Sequence, residues 1–166
     1  MINQHPSVYL ASAFMPMLFV SGTDDFAYPL DSLEKSCALP TGEVTRCVRL
    51  EMPQGHEVGW NSIEIGIFAD QHLAQGLPLP KIQEIARKAS VVRAEITGHS
   101  VIRNGHPLFT KDTHKWVDRK WQRVPAKLIN DGVRASIPAN ATGCFLAIED
   151  QRGAYVNTPY LDLSVG

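Results

Sequence analysis

The chain has 166 residues, 44% hydrophobic and 20% charged, with a formal net charge of −1. That balance belongs to one ordinary globular domain or two small ones and excludes a disordered chain. A near-neutral surface with interspersed charges gives no electrostatic basis for nucleic acid or an anionic membrane as partner.

No apolar stretch approaches the roughly 20 residues of a membrane-spanning helix. The longest, AFMPMLFV, contains Pro16 and stops at Ser21. The opening MINQHPSVYL lacks the basic region, apolar run and small-residue cleavage site of a secretory signal, so the chain as written reads as cytoplasmic. Cys37, Cys47 and Cys144 are odd in number and lack metal-ligand spacing. They read as buried reduced thiols, with a Cys37–Cys47 bridge as the alternative.

In chain order, MLFVS is a continuous apolar strand of the kind buried on both faces of a sheet. LDSLEKSCALP follows as a short helix, with Asp31 or Ser32 near its start and Pro40 beyond its end. TRCVRLEM alternates polar and apolar residues as a second strand. IEIGIFADQHLA is an amphipathic helix with Ile63, Ile67, Phe68 and Leu73 near one face, capped by Asn61 or Ser62. Strand–helix–strand–helix implies a parallel sheet with right-handed crossovers.

GLPLPK then interrupts the pattern, dividing the chain into a first unit over 1–76 and a second over 77–166. VVRAEITGHSVI, KWQRVPAKLI, VRASIP, CFLAIED and YVNTPYLDL are β-rich segments broken by Asn-Gly, Asp-Gly and Arg-Gly turns. Their spacing suits a small immunoglobulin-like antiparallel sandwich, although the Cys…Trp…Cys framework of true immunoglobulin domains is missing. The expected fold class is therefore α+β. Two parallel strands and two helices cannot by themselves cover both faces of a buried sheet. Either the N-terminal residues add a strand, the β unit packs over the open face, or a second chain completes the sheet; self-association is expected.

Asp25 in VSGTDDFAYP and His56 in MPQGHEVGW each follow a predicted parallel strand, where open α/β sheets collect their catalytic groups. Adjacent strands would bring the two loops together, so that Asp25 orients the His56 imidazole. Each residue also has a simpler reading, Asp25 as a turn former or helix cap and His56 as an exposed loop histidine. A divalent metal on Asp24, Asp25, His56 and Glu57 is a further arrangement, competing with exposed loop carboxylates. His99, His106 and His114 are too loosely spaced for a zinc motif. Trp116, Trp121, Phe109 and Tyr155 raise a carbohydrate-binding reading, but Trp116 and Trp121 are expected on opposite sides of a strand, one core and one rim.

The wording GTDDFAYPLDSLEKS, then CVRLEMPQGHEVGW, then a helix containing FAD, resembles bacterial acetylxylan esterase and dienelactone hydrolase-like proteins, members of the α/β-hydrolase fold. The DRKWQRVPAKL region resembles a β-sandwich appended to some of these esterases. The resemblance implies Asp25 as the triad acid, His56 as the triad histidine, and Tyr28 and Trp60 as substrate contacts within the two loops. It also implies a nucleophile on an earlier Gly-x-Ser-x-Gly turn, which this sequence does not contain. Ser21 lacks an elbow and a proton acceptor, Ser100 and the adjacent His99 point to opposite strand faces, and Cys37 and Cys47 read as buried structural thiols, so all four are poor substitutes. The chain resembles the tail of an esterase without its front. The expectation is weak hydrolysis of small esters or lactones by water that His56 or a metal activates, without an organic cofactor. The alternative is a non-catalytic fragment that binds carbohydrate or protein. A separate chain supplying the missing half is the other partner expected, and full-length relatives could be exported.

Overall fold

The computed structural model describes residues 7–164. Residues 1–6, where an added N-terminal strand was one expectation, lie outside the described residues; Ser7–Leu10 form a single helical turn, α1.

The strand–helix–strand–helix order of the first half is present. Strand β1 (Met17–Asp24) leads to helix α2 (Leu30–Cys37), strand β2 (Val44–Pro53), a short helix α3 (His56–Trp60) and helix α4 (Ile63–Leu73). β1 and β2 run parallel from the pair Met17/Val44 to Gly22/Arg49, with an irregularity before Asp24/Pro53. Gly22 permits this approach, since a Cβ there would lie 1.8 Å from the Met52 carbonyl oxygen.

The second half supplies β3 (Lys81–Ile82), β4 (Ala86–Lys88), β5 (Val91–Thr97), β6 (Ile102–Thr110) and β7 (Trp121–Arg123). β8 (Lys127–Ile129), β9 (Gly132–Ser136), β10 (Gly143–Asp150), β11 (Tyr155–Asn157) and β12 (Leu161–Asp162) follow. The first sheet has the order β1-β2-β11-β10-β6-β7, with β12 also on β10; the second has the order β3-β5-β9-β8, with β4 also on β5. The fold is therefore mixed α+β, and its larger sheet is continuous across residue 76.

That continuity answers the problem of the uncovered faces. On one face, α2 buries Leu30, Leu33 and Cys37 against Val48, Leu108, Trp121 and Phe145. On the other, Phe109, Leu146, Ile148 and Val156 meet Val92, Ala94 and Val133 of the second sheet, and Leu18, Ile67 and Phe68 extend this core. The β segments both lengthen the sheet and cover it. Burying these side chains contributes on the order of 2 kcal/mol each, the main force holding the two sheets together.

Several local expectations change. Asn104-Gly105 lies inside β6 and makes no turn, because Gly105 is pressed against Val133, whose Cγ2 would lie 2.6 Å from an added Cβ. VVRAEITGHSVI divides at Gly98, which takes a φ of 91° and ends β5. KWQRVPAKLI divides around Pro125 into β7 of one sheet and β8 of the other, as a residue without an N–H favours. On α4, Leu73 is 86% exposed and Ile63 is also exposed, while Glu64 is fully buried. The inward face runs through Glu64, Phe68 and Gln71, whose Oε1 accepts the Leu79 N–H. All three cysteines are buried free thiols. Among the described residues no helix is long and apolar enough to cross a membrane.

Candidate functional site

β1 and β2 end side by side, and the chain leaving each carries one of the expected residues. After β1, Asp25 folds back on its own turn: its Oδ1 accepts the Ala27 N–H at 3.0 Å and the Tyr28 N–H at 2.8 Å. This arrangement leads the chain into α2, whose cap position is Pro29 and receives no side-chain hydrogen bond. Neither Asp31 nor Ser32 caps α2, and Asp25 instead fixes the turn that precedes it.

After β2, Gly55 precedes α3, and His56 is its first residue. One turn on, Trp60 lies nearly parallel to the imidazole, with ring centroids 5.8 Å apart and planes at 9°. Helical spacing alone brings this i,i+4 pair together. The His56 imidazole makes no hydrogen bond to Asp25 or to any other of the described residues. The two groups nevertheless share one open groove of about 500 Å3. Leu18, Val20, Ile65 and Phe68 give it apolar walls; Asp25, His56, Tyr28 and Trp60 also line it.

The metal candidates do not converge. Asp24 and Glu57 are exposed and absent from the groove lining, and Asp24 accepts the Thr23 hydroxyl at 3.0 Å. Among the described residues no three His, Cys, Asp or Glu side chains group as a metal site.

Of the four substitute nucleophiles, Ser21 alone lines the groove. The Ser21 hydroxyl is buried without a hydrogen-bond partner. Ser100 donates to the Pro78 carbonyl at 3.3 Å, away from the groove. Burial pushes the thiols of Cys37 and Cys47 up to about 12, so neither is a ready thiolate.

A buried polar network stands behind the groove. The Glu64 carboxylate accepts the Arg49 guanidinium at 2.6 Å, the Ser62 hydroxyl at 2.5 Å and the Tyr155 N–H at 2.6 Å. Burial raises its pKa, but hydrogen bonds from Arg49, Ser62 and backbone N–H groups outweigh burial and hold it below the usual carboxylate range. Arg49 also lies over the Tyr155 ring, 5.4 Å from its centroid, and the Tyr155 hydroxyl meets His106 Nε2 at 2.7 Å. Nothing in the sequence pattern marked Glu64.

The aromatic residues are also redistributed. Trp116 sits on a 3-10 turn (Trp116–Asp118) and stacks on Trp121 at 6.4 Å, so the two share one side. Trp121 is buried and Trp116 half-buried, the core and rim roles expected of them. Arg119 covers Trp116 at 4.2 Å and Tyr160 meets it edge-on at 4.7 Å, leaving no open sugar platform. The exposed Phe, Tyr and Trp rings among the described residues are Tyr9, Phe14, Phe26, Tyr28 and Trp60, of which Tyr28 and Trp60 line the groove.

Comparisons with family models, curated proteins and solved structures return no match.

Proposed function

We propose that this chain derives from the acid- and histidine-bearing part of an α/β-hydrolase and retains weak hydrolysis of small carboxylic esters or lactones. One observation carries the reading: Asp25 and His56 leave adjacent parallel strands at the same end and line one groove. The GTDDFAYP and GHEVGW motifs, and the immunoglobulin-like spacing of the later strands, support the same ancestry.

In this mechanism His56 takes a proton from water as the oxygen attacks the ester carbonyl carbon. The tetrahedral intermediate collapses, the alkoxide leaves, and the imidazolium returns the proton to it. Asp25 lines the same groove, with its Oδ1 engaged by two backbone N–H groups. Largely apolar walls offer little to the developing oxyanion, so turnover is slow. The test is hydrolysis of 4-nitrophenyl acetate by wild type and His56→Ala. A fall of about tenfold or more supports the reading, and equal rates overturn it.

A second reading is favoured by the His56 imidazole, which lacks a hydrogen-bonded orienter, and by the exposed rings beside it. There the groove binds a ligand without turning it over. Wild-type hydrolysis indistinguishable from the buffer blank, together with ligand binding in the groove, selects it. The outer edge of β1, which among the described residues has only β2 beside it, further supports self-association through that edge.

A further inference from the structure

The same groove carries information about what it accepts. Its lining contains one carboxylate, one imidazole and no lysine, arginine or glutamate. An anionic ligand would be placed against Asp25 with no fixed cation to receive it. A cationic one would depend on a single carboxylate, one of whose oxygens, Oδ1, already serves two backbone N–H groups. The site is therefore matched to a neutral ligand. A volume of about 500 Å3 accommodates a small organic molecule.

Aromatic rather than aliphatic character is favoured by the rings. Tyr28 and Trp60 line the groove, come from different segments and are more than two-thirds exposed. The His56 ring lies nearly parallel to Trp60, with centroids 5.8 Å apart, and adds a second flat face beside it. Exposed π-faces contribute about 0.5–1.5 kcal/mol to an aromatic partner beyond simple area burial, a gain that an aliphatic ring of equal size does not receive. Apolar Leu18, Val20, Ile65 and Phe68 would take the remaining surface.

We infer that the groove selects neutral ligands carrying an aromatic ring, stacked on Trp60 and Tyr28, with a carbonyl directed toward His56. This deepens the proposed function by naming the aryl class of ester or lactone, and it rests on that reading only for the statement about turnover.

The test uses acetanilide, an amide analogue of phenyl acetate that resists hydrolysis, beside N-cyclohexylacetamide, which has the same polar group and a saturated ring. Binding is followed by amide and indole NMR shifts of the whole chain, with Trp60→Phe identifying the Trp60 indole signal. Acetanilide should shift the Trp60 indole and the Gly55 and Gly59 amides and bind roughly fivefold or more tightly than the cyclohexyl compound. Trp60→Ala and Tyr28→Ala should each weaken acetanilide by roughly fivefold, while Trp60→Phe retains most of the affinity. Both side chains are exposed, so the variants keep the fold. Equal affinities for the two amides, no shifts in the groove, or unchanged binding in Trp60→Ala and Tyr28→Ala each overturn the inference. Wild-type ester turnover separates the two proposals: binding of acetanilide without any ester turnover sinks the hydrolase reading alone. Turnover that is indifferent to aryl against alkyl esters, with equal binding of the two amides, sinks the aromatic selectivity alone.

Discussion

The side-chain amide of Asn157 accepts the Val48 N–H at 2.6 Å and donates to the Val48 carbonyl at 3.2 Å. β2 and β11 share a single residue pair, Arg46/Asn157, so the amide acts as the next peptide group of a ladder that the backbone does not continue. This is where the strands of the first half meet those of the second. Both residues are buried, and removing the amide strands two backbone groups away from water. Asn157→Ala is therefore expected to destabilise the chain by about 2–4 kcal/mol. Urea unfolding measures it; a loss below about 0.5 kcal/mol would show that the seam does not depend on this side chain.

Glu64 makes a second link across the same seam, from α4 to Arg49 of β2 and the Tyr155 N–H of β11. A buried carboxylate is tolerated there because three donors converge on it. Glu64→Gln keeps the shape but removes the charge that Arg49 faces, and it directs an NH2 group into a cluster of donors. A loss of about 2–3 kcal/mol is expected, less than for a fully enclosed pair because the Arg49 side chain is partly exposed. A double-mutant cycle with Arg49→Met should return a coupling of about 1 kcal/mol or more. Additive effects would reduce the pair to two independent contributions.

These seam residues mark where the sequence stopped being legible. The four elements β1, α2, β2 and α4 were recognisable because apolar periodicity and Pro40 speak locally. Edgewise joining of β11 to β2 was not, since it depends on Asn157 reaching a residue more than a hundred positions away. Prolines misled differently: Pro125 and Pro159 sit within runs that read as single strands, yet each run divides there. At the groove, Asp25 and His56 follow the ends of adjacent strands and both line it, without the hydrogen bond expected between them. The Trp60 stack follows from α3, a helix too short to leave a periodic signal.

His106 ties stability to pH. Its ring is half-buried beside the Tyr155 hydroxyl. Burial pushes its pKa below 6.5, Arg123 pushes it further down, and Glu149 opposes in part. The folded state thus prefers neutral imidazole. Its contribution is complete above the unfolded value and is lost as pH falls through the lower folded value. Lowering pH from about 7.5 to about 5 should reduce the urea midpoint of wild type more than that of His106→Gln, which can keep a hydrogen bond to Tyr155 without titrating. Identical pH slopes would remove His106 from the account.

Ser21 provides the sharpest test of the nucleophile. Its hydroxyl is buried and unpartnered on β1, within the lining of the groove that contains His56. If water is the nucleophile, Ser21→Ala leaves ester turnover unchanged, and removal of an unsatisfied hydroxyl leaves stability equal or higher by up to about 1 kcal/mol. A covalent route through Ser21 demands the opposite. Its hydroxyl would have to become accessible and pass its proton to His56, so Ser21→Ala would fall to the level of His56→Ala. Parallel assays of the two variants, with urea unfolding of each, distinguish the routes. Loss in both without loss of stability would replace water by Ser21, whereas loss in His56→Ala alone keeps water as the attacking group.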